Sequence, residues 1–120
     1  MLDTSMPPMP DHILDTRARH ATMIDQLRRA LVDDSITASQ GLMIMMLGND
    51  TVLASSIVPD GYYGGTNASY NLNVLENAGF IKRSSVKGDR RKRMVSLTSK
   101  GLELCVRLRR NLAVKEREAA

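Results

Sequence analysis

The stretch from Asn71 to Gly101, NLNVLENAGFIKRSSVKGDRRKRMVSLTSKG, decides the fold of this chain. Its pattern predicts a helix that ends at Gly79, two strands, and a new helix that begins at Thr98 or Ser99. We place the strands at residues 80–86 and 94–97, with residues 87–93 as the connection between them. The stretch therefore predicts a helix followed by a β-hairpin.

The connection between the two strands is strongly basic. Between residues 82 and 100, Asp89 is the only acidic residue beside eight basic ones: Lys82, Arg83, Lys87, Arg90, Arg91, Lys92, Arg93 and Lys100. We favour contact with a polyanion over a solvated loop, because these like charges repel each other unless an anion neutralises them. We also expect Asp89 to pair with Arg91 and to direct its guanidinium towards a minor groove. The predicted DNA contacts of the hairpin are Lys87, Asp89, Arg90, Arg91, Lys92 and Arg93.

The helix before the hairpin, residues 66–79, has two contrasting faces. Ala68, Leu72 and Leu75 share one face, which we expect to be buried. The other side carries uncharged hydroxyl and amide groups, whereas a merely solvated helix normally carries Lys and Glu. The predicted DNA contacts of helix 66–79 are Thr66, Asn67, Ser69, Tyr70 and Asn73. Asn73 and Asn77 could present a donor and an acceptor to an adenine edge, and the alternative is a polar face that only meets water.

The remainder of the chain predicts one helical domain, residues 11–120, behind an N-terminal arm of residues 1–10. A stripe of Leu14, Ala18, Ala21, Ile24, Leu27 and Leu31 marks a first helix with more apolar surface than a small core needs, so it can pack against a second copy. A second helix begins at Thr37 or Ser39 and ends at Gly48, and a short third helix is expected over residues 52–58. The role of Tyr62 and Tyr63 is open. The predicted fold is mainly α with a small β-hairpin.

Composition limits the function further. The chain has 120 residues, a net charge of +4 and a single cysteine, Cys105, which lies on the apolar stripe of the last helix and is expected in the core. His12 and His20 have no ligand partners at metal-binding spacing, so we predict no metal and no cofactor. No catalytic grouping is visible, and we predict no enzymatic activity. The absence of a long apolar run or a signal peptide predicts a cytoplasmic protein.

Three short motifs resemble the multiple-antibiotic-resistance-regulator (MarR) type of winged helix-turn-helix transcription regulators. That family's pattern has Leu-Glu-x-x-Gly-Leu-Val-x-Arg at the end of the recognition helix, Asp-x-Arg in the wing, and Leu-Thr-x-x-Gly at the start of the last helix. In this chain the motifs fall on Leu75, Glu76, Gly79, Phe80, Ile81 and Arg83; on Asp89 and Arg91; and on Leu97, Thr98 and Gly101.

The resemblance implies a homodimer on a palindromic duplex. Helix 66–79 would lie in the major groove, and wing 87–93 in the minor groove, with repression by blocking polymerase as the common outcome. The family dimerises through its first and last helices, which implies a dimer interface at Leu14, Ala21, Ile24, Leu27, Leu108 and Leu112. Many members sense a small molecule, but the short last helix gives no support for an effector site here.

Two other classes of function remain open at this stage. A winged helix can use the same helix to bind a protein, but such a partner would not require the basic run from Arg90 to Arg93. A sequence-neutral chromosome-organising protein would bind DNA with a strong salt dependence and little sequence preference. The amide-rich helix face favours base reading over that second alternative.

Overall fold

The computed structural model of the chain describes residues 6–57 and 67–119, except for the side chains of Arg90 and of residues 114–119. The elements are α1 (Asp11–Ala30), α2 (Ala38–Leu47), β1 (Val52–Leu53), α3 (Ala68–Asn77), β2 (Ile81–Val86), β3 (Asp89–Leu97) and α4 (Ser99–Ala119). The strands form one antiparallel sheet in the order β1-β3-β2. The predicted fold class, mainly α with a hairpin wing, is confirmed.

Several predicted features lie wholly or partly outside the described residues. These are Thr66, Tyr62, Tyr63, the side chain of Arg90 and the first half of the N-terminal arm. Residues 6–10, the second half of that arm, precede α1 and are exposed.

The predicted third helix is wrong. Val52 and Leu53 form strand β1, which pairs with Val95 and Met94 of β3, and only a single 3₁₀ turn follows at Ala54–Ser56. Seven residues of helical pattern are too few to hold a helix alone, and the pairing with β3 satisfies the backbone instead. The sheet therefore has three strands where the sequence predicted two.

The connection between β2 and β3 is shorter than predicted. Val86 pairs with Asp89, so Lys87 and Gly88 alone form the turn, and Gly88 has the positive φ of 87° that such a tight turn requires. The next pair joins Ser85 to Arg93, which leaves residues 90–92 without partners on β2. The basic run thus belongs to an irregular strand, and its unpaired residues form a bulge at the end of the hairpin.

The core joins α1, α2, α3, α4 and the sheet around fully buried side chains such as Met43, Ile44 and Leu75. Cys105 is 3% exposed and belongs to this core, as predicted. Leu27 and Leu108 are fully buried within the protomer, so their surface is not available to a second copy. We therefore assign these two residues to the core and correct their placement in a dimer interface.

The start of α4 is fastened to the end of α3 and the start of β2. The Thr98 backbone N–H donates to the carbonyl oxygen of Phe80 at 3.0 Å, and its Oγ1 donates to the carbonyl of Gly79 at 2.6 Å. The same Oγ1 accepts from the N–H of Gly101 at 3.1 Å, which caps α4. This clamp explains the Leu-Thr-x-x-Gly motif, because it fixes α4 against the segment between α3 and the wing.

Candidate nucleic-acid interface

Helix α3 presents the polar face that the sequence predicted. Leu72 and Leu75 are buried on its inner side. On the outer side, the predicted residues that the structure describes are all exposed, with Tyr70 at 65%. They are Asn67, Ser69, Tyr70 and Asn73. Helix α3 can therefore offer hydroxyl and amide groups to a partner.

Arg83 of β2 ties the end of this helix to the wing. Its Nε donates to Glu76 Oε2 at 3.2 Å, and one Nη donates to Glu76 Oε1 at 2.9 Å. The same Nη also donates to Asn73 Oδ1 at 2.6 Å. Such a two-point contact fixes direction as well as distance, so it holds α3 and β2 at one angle. From the sequence, Arg83 is one of the basic residues and matches the family's motif, but this positioning role was not predicted.

The ion pair also sets the charge state of the two partners. The hydrogen bond from Arg83 lowers the pKa of Glu76 below its ordinary value, and the charge of Arg93 adds a smaller effect in the same direction. The hydrogen bond to Glu76 raises the pKa of Arg83. Both shifts favour the charged forms of Glu76 and Arg83.

We expect Glu76→Gln to reduce the acid sensitivity of the chain. The Glu76 carboxylate has a pKa below its ordinary value of 4.5 in the folded state. The stability that it contributes is therefore fully present above pH 4.5 and is lost as the pH falls through the lowered pKa of the folded state. Glutamine does not titrate. The difference in urea midpoint between wild type and variant should therefore shrink in acid. A constant difference at all pH values would contradict this assignment.

The basic hairpin is exposed, but Asp89 does not act as predicted. Its Oδ1 accepts a hydrogen bond at 3.0 Å from the backbone N–H of Arg91, and not from the Arg91 guanidinium. A short carboxylate next to a turn commonly bonds to a backbone amide two residues on. Asp89 therefore fixes the backbone of the bulge and leaves the arginine side chain free of that contact. Among the predicted DNA contacts of the hairpin whose side chains the structure describes, the exposed cations are Lys87, Arg91, Lys92 and Arg93.

A buried polar pair that was not predicted from the sequence attaches α3 to α2. Gln40 Nε2 donates to Asn71 Oδ1 at 3.1 Å, and the two residues are 3% and 9% exposed. Gln40 is also the third residue of the capping box of Thr37, where its Oε1 accepts from the Thr37 N–H at 2.9 Å. The signal for Asn71 was present: it lies between Ala68 and Leu75 on the face predicted to be apolar.

We expect Asn71→Ala to lower the free energy of unfolding by about 2 kcal/mol, because it leaves a buried amide of Gln40 without its acceptor. The variant should also weaken DNA binding, since α3 loses its attachment to α2. Urea denaturation measures the first effect. Asn77→Ala, at an exposed position of the same helix, is the matched control and should change stability little. Equal stability of the two variants would show that the buried pair does not hold α3.

Two solved structures have the same arrangement of elements. The chain superposes on the crystal structure of MarR with a TM-score of 0.70, over 91% of this chain and 77% of that chain, at 20% identity. The chain has the MarR-type winged-helix fold. It also superposes on the complex of S. aureus MepR with DNA, with a TM-score of 0.67 over 87% of this chain and 86% of that chain, at 22% identity. Helix α3 and the β2–β3 hairpin occupy the positions of the helix and the wing that give this fold its name.

A curated relative is the exopolysaccharide II synthesis transcriptional activator ExpG of Rhizobium meliloti (strain 1021). The two sequences are 30% identical over 84 residues, which are 70% of this chain and 43% of ExpG. The chain therefore spans less than half the length of this relative. No protein-family model matches the chain. ExpG is a regulator of transcription, which agrees with the prediction that the chain is not an enzyme.

Within residues 6–57 and 67–119, no group of three or more His, Cys, Asp or Glu side chains is placed to hold a metal ion. In the same part of the chain, no helix has the length and apolar character needed to cross a membrane.

Proposed function

We propose that the chain is a homodimeric, sequence-specific DNA-binding regulator of transcription. Helix α3 enters the major groove, and the β2–β3 hairpin reaches the adjacent minor groove. The observation that carries the proposal is the joint geometry of these elements: an exposed, uncharged polar helix face is held by Arg83 next to an exposed basic strand. The helix supplies hydrogen-bonding groups for base edges, and the basic strand neutralises phosphates.

The comparisons support this proposal. MepR, which shares the fold, was crystallised with DNA, and ExpG is a transcriptional activator. We propose repression by occupancy of a promoter as the direction of regulation, because a dimer on its site blocks polymerase. A reporter with the bound site placed across or upstream of a promoter distinguishes this from the activation performed by ExpG. The proposed partner also implies a cytoplasmic, nucleoid-associated location.

The proposal of a dimer has its own structural support in α1 and α4. All residues from Asp11 to Thr22 are exposed, including Ile13 at 44% and Leu14 at 46%. An isolated stretch of this length forms a stable helix only with tertiary support. Between the other half of α1 and α4 lies a groove of about 590 Å³, whose lining includes Ala30 and Leu112. We propose that α1 and α4 of a second copy cover these surfaces; Leu14, Ala21, Ile24 and Leu112 remain in the proposed interface.

We expect Leu14→Glu to convert the dimer into a monomer, because a carboxylate cannot be buried in an apolar interface without a partner. Light scattering should give half the mass of the wild type at equal concentration. Affinity for a duplex with two half-sites should fall, since one subunit then binds alone. Thr16→Glu, on the opposite side of α1, is the matched control and should remain dimeric. A dimeric Leu14→Glu variant would remove Leu14 from the interface.

The first test of the whole proposal is selection of bound duplexes from a random pool, with affinities measured at two salt concentrations. An inverted repeat with half-sites about one helical turn apart is the expected result. Salt-sensitive binding without a recovered motif would favour a chromosome-organising protein. Absence of DNA binding would favour the protein-interaction module.

A further inference from the structure

The side-chain amide of Asn73 has one orientation, which Arg83 imposes. Arg83 Nη2 donates to Asn73 Oδ1 at 2.6 Å, and a guanidinium carries donors only. The amide oxygen must therefore face Arg83, because rotating the amide by half a turn would bring its NH₂ group against another donor. The orientation is secure because Glu76 holds the Arg83 guanidinium through two hydrogen bonds.

The exposed edge of the Asn73 amide is consequently its NH₂ group. Each base pair in the major groove presents a distinct pattern, and the two purines differ at one position: guanine has the acceptors N7 and O6, whereas adenine has the acceptor N7 beside the donor N6. An asparagine that reads adenine uses its NH₂ group and its oxygen together. Here the oxygen faces Arg83, so only the NH₂ group of Asn73, a hydrogen-bond donor, is available to a base in the groove.

We infer that Arg83 is a specificity-positioning residue, which makes Asn73 a hydrogen-bond donor that selects guanine over adenine. The inference rests on the proposed DNA-binding function and names the base that one position of α3 reads. It replaces the expectation from sequence that Asn73 offers both a donor and an acceptor to adenine. Arg83 acts through Asn73 and need not touch the base itself.

The test uses the full-length chain and the duplex recovered from the random pool. Affinities are measured for every single base-pair substitution with wild type and with Asn73→Ala, which locates the pair that Asn73 reads. We expect guanine at this base pair, and the wild type should lose affinity about tenfold when adenine replaces it. Arg83→Gln can both donate and accept, so it releases the amide, and the penalty should fall to about twofold.

The control for charge is Lys82→Gln on the same strand. Lys82 is exposed, and its substitution removes the same single positive charge without touching Asn73. Both variants should weaken binding to all duplexes, but Lys82→Gln should keep the full tenfold preference for guanine over adenine. Loss of preference in both variants would show that charge alone is responsible, and would overturn the inference.

A second variant tests the inference while both members of the Arg83–Glu76 pair are kept. Asn73→Asp is at an exposed position and keeps an oxygen towards Arg83, but it presents only acceptors to the groove. Its preference should move from guanine to a base that presents a donor, which is N4 of cytosine or N6 of adenine. Adenine at the position read by Asn73, or guanine retained by Asn73→Asp, would overturn the inference while leaving DNA binding intact. Wild-type binding without any base preference would instead reject the proposed function, and the inference with it.

Discussion

Replacing Gly101 with alanine is expected to lower the free energy of unfolding by about 3 kcal/mol. A Cβ added at Gly101 would overlap the carbonyl oxygen of Phe80, with the Phe80 carbonyl carbon at 3.1 Å and Leu97 Cβ at 3.2 Å. The first two of these atoms belong to the backbone, which cannot move aside as a side chain does. The same carbonyl accepts the hydrogen bond from Thr98, so a displacement would also open the clamp between α4 and the wing.

Two opposing contributions decide whether Gly101→Ala raises or lowers the free energy of unfolding. Alanine is favoured over glycine inside a helix by about 1 kcal/mol, which would stabilise α4 if the space were free. The steric overlap outweighs that gain. Gly41→Ala is an instructive comparison, because its Cβ would lie 2.5 Å from Leu31 Cδ1, the end of a flexible side chain. We expect a smaller loss there, since Leu31 can change its rotamer.

Urea denaturation of the three variants Gly101→Ala, Gly41→Ala and Glu103→Ala tests this order. Glu103 is exposed on α4, and its substitution should have little effect. Gly101→Ala should be the least stable of the three. If it were as stable as the wild type, α4 would not be fixed against Phe80 as described.

Arg91→Ala is expected to weaken DNA binding about tenfold on every sequence and to reduce the salt slope of binding by about one. Arg91 is exposed in the bulge of residues 90–92, and its backbone is fixed by Asp89. A cation on a narrow hairpin suits the minor groove, where the negative potential is strongest. The contact carries no base code there, so cognate and unrelated duplexes should lose affinity by the same factor.

The matched control is Arg110→Ala, which removes an exposed arginine of α4 instead of one in the wing. It loses the same charge, so it reports the effect of overall charge on association. Fluorescence anisotropy with both variants at several salt concentrations gives the affinities and the slopes. An unchanged affinity for Arg91→Ala would refute the role of the wing. Equal losses of affinity in both variants would show that Arg91 contributes only through the net charge of the protein.

The local pattern of the sequence determined the elements that surround the proposed interface. Three- and four-residue spacing gave α1, α3 and α4, and the outer residues of α3 are exposed as predicted, because the spacing along a helix sets which of its faces is apolar and which is polar. The basic run and the glycine of the turn likewise marked the hairpin. Cys105 was placed in the core by its position on an apolar stripe.

Only the tertiary structure decided features that depend on residues far apart in the chain. Strand β1 forms because Val52 pairs with Val95 of β3, and the residue pattern of a short segment contains no information about such a distant partner. The stripe of α1 did not reveal that Leu27 packs inside the protomer while Leu14 stays exposed, because both have the same spacing. The orientation of the Asn73 amide was equally hidden, since the donor that fixes it is ten residues away on another element. Local sequence sets which face of an element is apolar, and packing between elements sets what each face contacts.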